Sequence, residues 1–191
     1  MAAYGTRPLR LLLDRLPIDE RFTAIHCTQS DADDLRELVA RRGGVSLCPS
    51  TEGNLADGIP KLDVMRASGA RIAIGSDCNL RLSMCEDLRW LEYAQRLTRE
   101  QSGNVIDAHG RVAPALFELA AVNGARSLRL STGMVTAGRH ADLFTLDLGH
   151  PSLAGADANS LMHAFVFGCD NGPIDQTWVG GRAVTAAGDR R

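Results

Sequence analysis

Val45-Ser46-Leu47-Cys48-Pro49-Ser50-Thr51-Glu52-Gly53-Asn54-Leu55-Ala56-Asp57-Gly58 passes abruptly from a short apolar run to a dense polar one. The first four residues read as a buried strand, and Pro49 to Asp57 reads as a loop loaded with hydroxyls, carboxylates and an amide. Downstream, Leu62, Val64 and Met65 fall at helical spacing and the pattern stops near Gly69. An apolar strand, a polar turn and an amphipathic helix make up the unit from which parallel sheets are built.

The same unit recurs on both sides of this stretch. Before it, Phe22-Thr23-Ala24-Ile25-His26 reads as a strand, Ser30 or Asp31 as an N-cap, and Leu35, Leu38 and Val39 as the buried stripe of a helix that ends at Gly43-Gly44. After it comes Arg71-Ile72-Ala73-Ile74-Gly75, a loop from Ser76 to Ser83, and a long helix through Leu88, Leu91, Tyr93 and Leu97. A helix from Pro8 to Leu16 leads into the first strand, and helical segments at Pro114 to Val122 and Gly124 to Leu128 follow the last. Polar loops after every strand suit the C-terminal face of a barrel or of an open sheet, which periodicity alone does not separate. Beyond Gly133 the character changes to β: Gly138 to Asp147 reads as a turn into a strand, and Gln176 to Val184 as a hairpin turning at Gly180-Gly181. The expected division is therefore an α/β part at residues 1–132 and a β-rich tail at 133–191, too small to stand alone as a sandwich.

With 45% hydrophobic residues among 191, the chain has material for a core, and 21 Lys+Arg against 23 Asp+Glu leave no basic footprint for nucleic acid or an anionic membrane. Its apolar runs are far too short to cross a bilayer, and Met1-Ala2-Ala3-Tyr4-Gly5 carries no apolar signal region, so a cytoplasmic protein is expected. Five scattered cysteines without a Cys-x-x-Cys pair, Cys27, Cys48, Cys78, Cys85 and Cys169, are expected to be reduced thiols that mostly pack as small hydrophobes.

Chemistry concentrates at the strand ends. His26 closes the first strand and Asp77 follows the third, so in a parallel sheet both reach the same rim. Such a pair can serve a zinc-bound water, the carboxylate as ligand and proton acceptor and the imidazole as electrostatic clamp or proton donor. The plainer alternatives are a hydrogen-bonded structural histidine and an aspartate capping a helix. The segment holding Thr51, Glu52 and Asn54 is placed where a substrate loop would lie, or it is a capped, turn-rich connection.

Ile25-His26-Cys27-Thr28, Cys48-Pro49-Ser50-Thr51-Glu52-x-Asn54-Leu55-x-Asp57-Gly58, Gly75-Ser76-Asp77 and Glu86-x-Leu88-Arg89-Trp90-Leu91-Glu92-Tyr93 together resemble the amidohydrolase superfamily and, within it, the formimidoylglutamate deiminase branch. Gly138-x-x-Ala141-Asp142-Leu143 and Trp178-Val179-x-Gly181-Arg182 resemble the returning β-segments of that superfamily. The resemblance implies the last part of a (β/α)₈ TIM-type barrel, about three βα units plus covering helices, and a small segment of a composite β-sandwich. It implies that His26 is the histidine after barrel strand six that contacts substrate and that Asp77 is the aspartate after strand eight that binds metal and accepts a proton from its water. By the same resemblance the cofactor is zinc, and the reaction hydrolyses a formimino group to formylglutamate and ammonia in histidine degradation.

The superfamily's His-x-His pair and its His-x-x-Glu element before the sixth strand have no counterpart here, Gln29 stands where a second histidine is usual, and Asn79 where a histidine is common. The expectation is thus a hydrolase fragment, inactive alone, that takes a small-molecule substrate when an N-terminal half completes it, with homo-oligomers a further option. Three alternatives stay open: a non-enzymatic remnant or interaction module; another amidohydrolase such as a cyclic amidine or aminohydrolase deaminase; and an unrelated α/β domain using Glu52 and Asp57 for a small ligand.

Overall fold

Three short runs of β-branched and small apolar residues pair side by side as β1 (Thr23–Ile25), β2 (Gly44–Leu47) and β3 (Arg71–Ile74), all parallel and in that order. The structure is a computed structural model and describes residues 4–185; the expectations for Met1 to Ala3 and for 186–191 lie outside it. Register runs Ala24 to Val45 and Val45 to Ile72, which stacks the buried side chains of the three strands into one layer. At the start of β2 the residue is Gly44, and a Cβ there would meet the Arg71 guanidinium at 2.8 Å. That guanidinium donates to the Glu20 carbonyl at 3.0 Å, binding the lower ends of the strands together.

Each strand is followed by helix, as expected for βα units. The helices are α1 (Pro8–Arg15), α2 (Ala32–Ala40), α3 (Pro49–Asn54), α4 (Leu62–Ala67) and α5 (Met84–Arg99), then α6 (Val112–Glu118), a π-helical turn at Leu119–Asn123, and α7 (Gly124–Leu128). Leu9 and Leu13 of α1, Leu35 and Leu38 of α2, Leu62 and Met65 of α4 and Leu88 and Leu91 of α5 join Val45, Leu47 and Ile72 in a single core. Arg10 fastens α1 to α2 by pairing with Asp34 at 3.2 Å and Glu37 at 2.6 Å. On α2 the N-cap is Asp31, whose side chain pairs with Arg7 rather than with the helix amides.

One expectation is overturned: Pro49 to Asp57 is not a loop, because Pro49–Asn54 forms α3. Pro49 begins it where a missing N–H costs nothing, and the Glu52 carboxylate turns back to accept the Cys48 N–H at 2.8 Å, much as in a capping box. No apolar stripe announces this helix, since its buried residues include Ser50, Thr51 and Glu52.

The second sheet is antiparallel: β4 (Leu143–Leu146), β5 (Ile174–Val179) and β6 (Arg182–Thr185) in that order. Gly180 and Gly181, at φ 57° and 78°, make the two-residue turn between β5 and β6. Between β4 and β5 the chain forms α8 (Leu161–Gly168), a helix that no apolar periodicity announces. Phe165 of α8 stands 6.1 Å from Phe117 and 5.7 Å from Phe144, so an aromatic trio ties the small sheet to α6. Among the described residues no helix is long and apolar enough to cross a membrane.

Candidate functional site

Strand order places β2 between β1 and β3, so His26 and Asp77 do not come from adjacent strands. Two strand spacings separate their backbones, roughly 9–10 Å. Their side chains nevertheless converge over the end of β2, with His26 Nε2 3.4 Å from Asp77 Oδ2. Backbone geometry produces this convergence: His26, Cys27 and Asp77 sit at φ 65°, 57° and 50°, left-handed conformations that turn the chain sharply as each outer strand ends. Non-glycine residues in this region cost free energy, and such strain gathers where a rim must be shaped for a task.

The other ring nitrogen of His26 is also engaged. Nδ1 lies 3.3 Å from Glu52 Oε1, and Glu52 is held by the Cys48 N–H and only 3% exposed. Burial raises the Glu52 carboxyl above its ordinary value, while the bonds from Cys48 and His26 oppose the shift. An imidazole with a carboxylate on one nitrogen presents the other in a defined tautomer and direction.

Thr51 Oγ1 donates to the Ser76 carbonyl at 2.8 Å, fixing the peptide that precedes Asp77. Ser50 donates its N–H at 3.0 Å and its hydroxyl at 2.6 Å to Asp87 of α5. Asp87 is buried, and burial raises its carboxyl above the ordinary value despite both bonds. Of the three residues expected to face a substrate, Thr51 and Glu52 are therefore buried and partnered, and Asn54 is exposed at the end of α3. Gln29 donates to the Asp57 carbonyl at 2.7 Å, closing the turn after α3 against the turn after β1, and Asn79 donates to the Arg81 carbonyl at 2.8 Å.

Cys48 is the residue whose place at the site the sequence reading missed. It ends the middle strand, is 3% exposed, and its Sγ lies 3.5 Å from where a Cβ on Gly75 would stand. Burial, together with Glu52 and Asp77, pushes its thiol up to about 12. One ligand atom each from His26, Cys48 and Asp77 fall within 4.8 Å of one another. Imidazole nitrogen, thiol sulfur and carboxylate oxygen are the donor types zinc accepts, so the residues present fit a divalent cation of that kind. The signal available in the sequence was positional: Cys48 ends its strand as His26 ends the first. All five cysteines are free, with Cys78 alone exposed.

Comparison with known proteins matches residues 2–184 to the family model described as the amidohydrolase family. The chain is 38% identical over 188 residues to a formimidoylglutamate deiminase of Pseudomonas aeruginosa, covering 96% of this chain and 41% of that protein. It is 29% identical to a 5-methylthioadenosine/S-adenosylhomocysteine deaminase of Moorella thermoacetica, covering 98% of this chain and 43% of that one. Among solved structures, an amidohydrolase from Brucella melitensis superposes with a TM-score of 0.85 at 28% identity, covering all of this chain and 42% of its own. An adenosine deaminase from Xanthomonas campestris with bound zinc superposes at 0.82, with 24% identity, over 97% of this chain and 42% of its own. The chain thus spans less than half the length of each of these proteins.

Proposed function

The chain belongs to the amidohydrolase family, and from that membership and the shape of its rim we propose that it supplies part of the active site of a metal-dependent C–N hydrolase acting on an amidine. The substrate class we infer is that of formimidoylglutamate deiminase: water adds to the formimino carbon, the C–N bond breaks, and formylglutamate and ammonia result. The observation that carries the reading is the approach of His26 Nε2 to Asp77 Oδ2 at 3.4 Å while Glu52 holds the far side of the ring.

In this reading Asp77 and His26 face the metal-bearing side of the rim, and zinc, when bound, supplies Lewis acidity and a water that ionises near neutrality. Asp77 accepts a proton from the attacking water and passes it to the departing nitrogen. His26 donates from Nε2 toward the charge that develops on the substrate, and Glu52 fixes the tautomer in which that is possible. Thr51 keeps the Asp77 turn in place through Ser76. The parallel sheet is then a run of consecutive strands of a (β/α)₈ barrel, β4 to β6 belong to a small β-sandwich, and the remaining metal ligands come from polypeptide outside this chain. Histidine degradation in the cytoplasm is the setting this substrate implies.

The test is to co-express the chain with the N-terminal part of the Pseudomonas aeruginosa relative and to measure ammonia release from formimino-L-glutamate with added zinc. Turnover is expected, abolished by Asp77→Ala and slowed ~10²–10⁴-fold by His26→Ala with metal retained. Release from 5-methylthioadenosine instead would transfer the reading to the aminohydrolase deaminases, and release from neither substrate would overturn it.

A further inference from the structure

We propose that Asp170 is a positioning residue for Asp77: from the connection between α8 and β5 it fastens, through Arg81 and Arg89, the loop that carries Asp77 out of β3. The inference rests on the reading of the rim as catalytic and deepens it by giving the β-rich part of the chain a share in the site.

Asp170 Oδ1 lies 3.1 Å from a guanidinium nitrogen of Arg81 and 3.3 Å from one of Arg89, so one carboxylate oxygen joins two arginines of different elements. Arg81 belongs to the loop and also pairs with Glu86, in the first turn of α5, at 2.8 Å. Arg89 of α5 donates to the carbonyls of Val166 and Cys169 at 3.0 and 2.6 Å, which satisfies the end of α8 and holds the guanidinium in place. Next in sequence, the Asn171 side chain donates to the Leu82 carbonyl at 3.3 Å. Two consecutive residues of the tail thus grip two consecutive residues of the loop. Glu86 and Arg89, from the motif on α5 that the sequence singled out, find their use in this clasp.

The grip reaches Asp77 through the loop's own bonds. Asn79 donates its side-chain amide to the Arg81 carbonyl at 2.8 Å and its backbone N–H to the Ser76 carbonyl at 3.3 Å, the same carbonyl that Thr51 holds. Asp77 stands between these ties, at φ 50°. Strand order and Thr51 bring Asp77 to the rim, and Asp170 restrains the far side of its loop, where Leu80 is fully exposed and packs on nothing.

Charge determines what removal of Asp170 does. Exposed ion pairs add little to stability, so losing this carboxylate should hardly move the unfolding midpoint. It leaves the Arg81 and Arg89 guanidiniums, both within 3.3 Å of one atom, as neighbouring like charges. Arg81, the more exposed and less tethered of the two, then moves off with its loop. Asp77 is displaced by that movement, and small displacements of a reacting group fall on the chemical step.

Two readouts test this together. In the enzyme completed with the N-terminal part of the Pseudomonas aeruginosa relative, Asp170→Ala should lower kcat on formimino-L-glutamate about 10- to 100-fold with KM little changed, and Asp170→Glu should restore most of it. In the intact chain alone, a nitroxide attached to Cys78, the exposed thiol beside Asp77, should give a motionally broadened spectrum. That spectrum should sharpen in Asp170→Ala and stay broad in Asp170→Glu. A spectrum unchanged by Asp170→Ala overturns the inference, as does a sharpened spectrum with kcat unaltered. A fall in urea midpoint that accounts for the lost kcat would assign the effect to folding and overturn it as well. If the parent complex shows no turnover, the proposed function fails by itself, and the Cys78 spectrum still decides whether Asp170 holds the loop.

Discussion

At the scale of the residue, the site depends on carboxylates kept from water. Asp87 is 1% exposed and accepts two bonds from Ser50, yet burial still raises its carboxyl from the ordinary 3.8. A carboxyl whose pKa is raised in the folded state binds its proton more tightly there, so the stability it contributes is complete below the unfolded value and is lost as pH rises through the folded one. Asp87→Asn retains an oxygen to accept both Ser50 bonds and does not titrate. The stability of this variant relative to the parent should therefore grow as pH is raised from about 4 towards neutrality, read from urea midpoints across that range. A difference independent of pH would show that Asp87 titrates alike folded and unfolded. His26 and Asp77 were legible in the sequence because each ends an apolar run. The ring's second partner was not, since Glu52 reaches it from a helix that periodicity does not reveal.

Elements owe their positions to a few buried polar anchors as much as to apolar stripes. Glu92 of α5 is fully buried and takes the backbone N–H groups of Gly103, Asn104 and Val105 at 3.0, 3.2 and 3.0 Å, with Arg96 at 2.9 Å. A single side chain thus holds the connection between α5 and α6. Replacing it by alanine strands the buried N–H of Val105, at a cost of about 1–3 kcal/mol, and leaves the half-buried N–H groups of Gly103 and Asn104 and the Arg96 guanidinium without their acceptor. Glu92→Ala should lower stability by about 3 kcal/mol or more and speed hydrogen exchange at Gly103 to Val105 ahead of global unfolding. Unchanged exchange there would assign the connection's order to its apolar contacts, chiefly Val105 in the core. The same reasoning explains which elements were legible. Strands β1 to β3 and helices α2, α4 and α5 show themselves through repeated apolar residues. In α3 the glycine at 53 and the polar buried face hide the helix, because Asp87, Ser76 and His26, the partners of Ser50, Thr51 and Glu52, lie far away in sequence.

For the whole molecule, β1 and β3 each pair on one side only among the described residues. Beside β1 a cleft of about 310 Å³ is lined by Leu9, Leu12, Phe22 and Ile25, and Ile25 is 53% exposed. An unpaired strand edge with apolar residues beside it invites another strand, and a lysine placed there discourages it. The chain by itself is expected to associate as its concentration rises, and Ile25→Lys to shift sedimentation velocity toward the monomer. Equal association of parent and variant would place the contact elsewhere. The division between a parallel and an antiparallel sheet was legible in the change of pattern after Gly133; the helix at 161–168 that joins them was not, because a short, almost wholly apolar segment has no face to distinguish it. That helix also carries a kinetic consequence. Strands β1, β2 and β3 find their partners one βα unit away, and β5 meets β6 across two residues, whereas β4 must wait until everything from Asp147 to Pro173 has been made before Leu143 can pair with Trp178. Loop closure of this kind is slow compared with local pairing. On the ribosome, the rim with His26, Cys48 and Asp77 can thus assemble while the tail is still being made, so the chemistry-bearing end of the molecule has no need to wait for its last sheet to close.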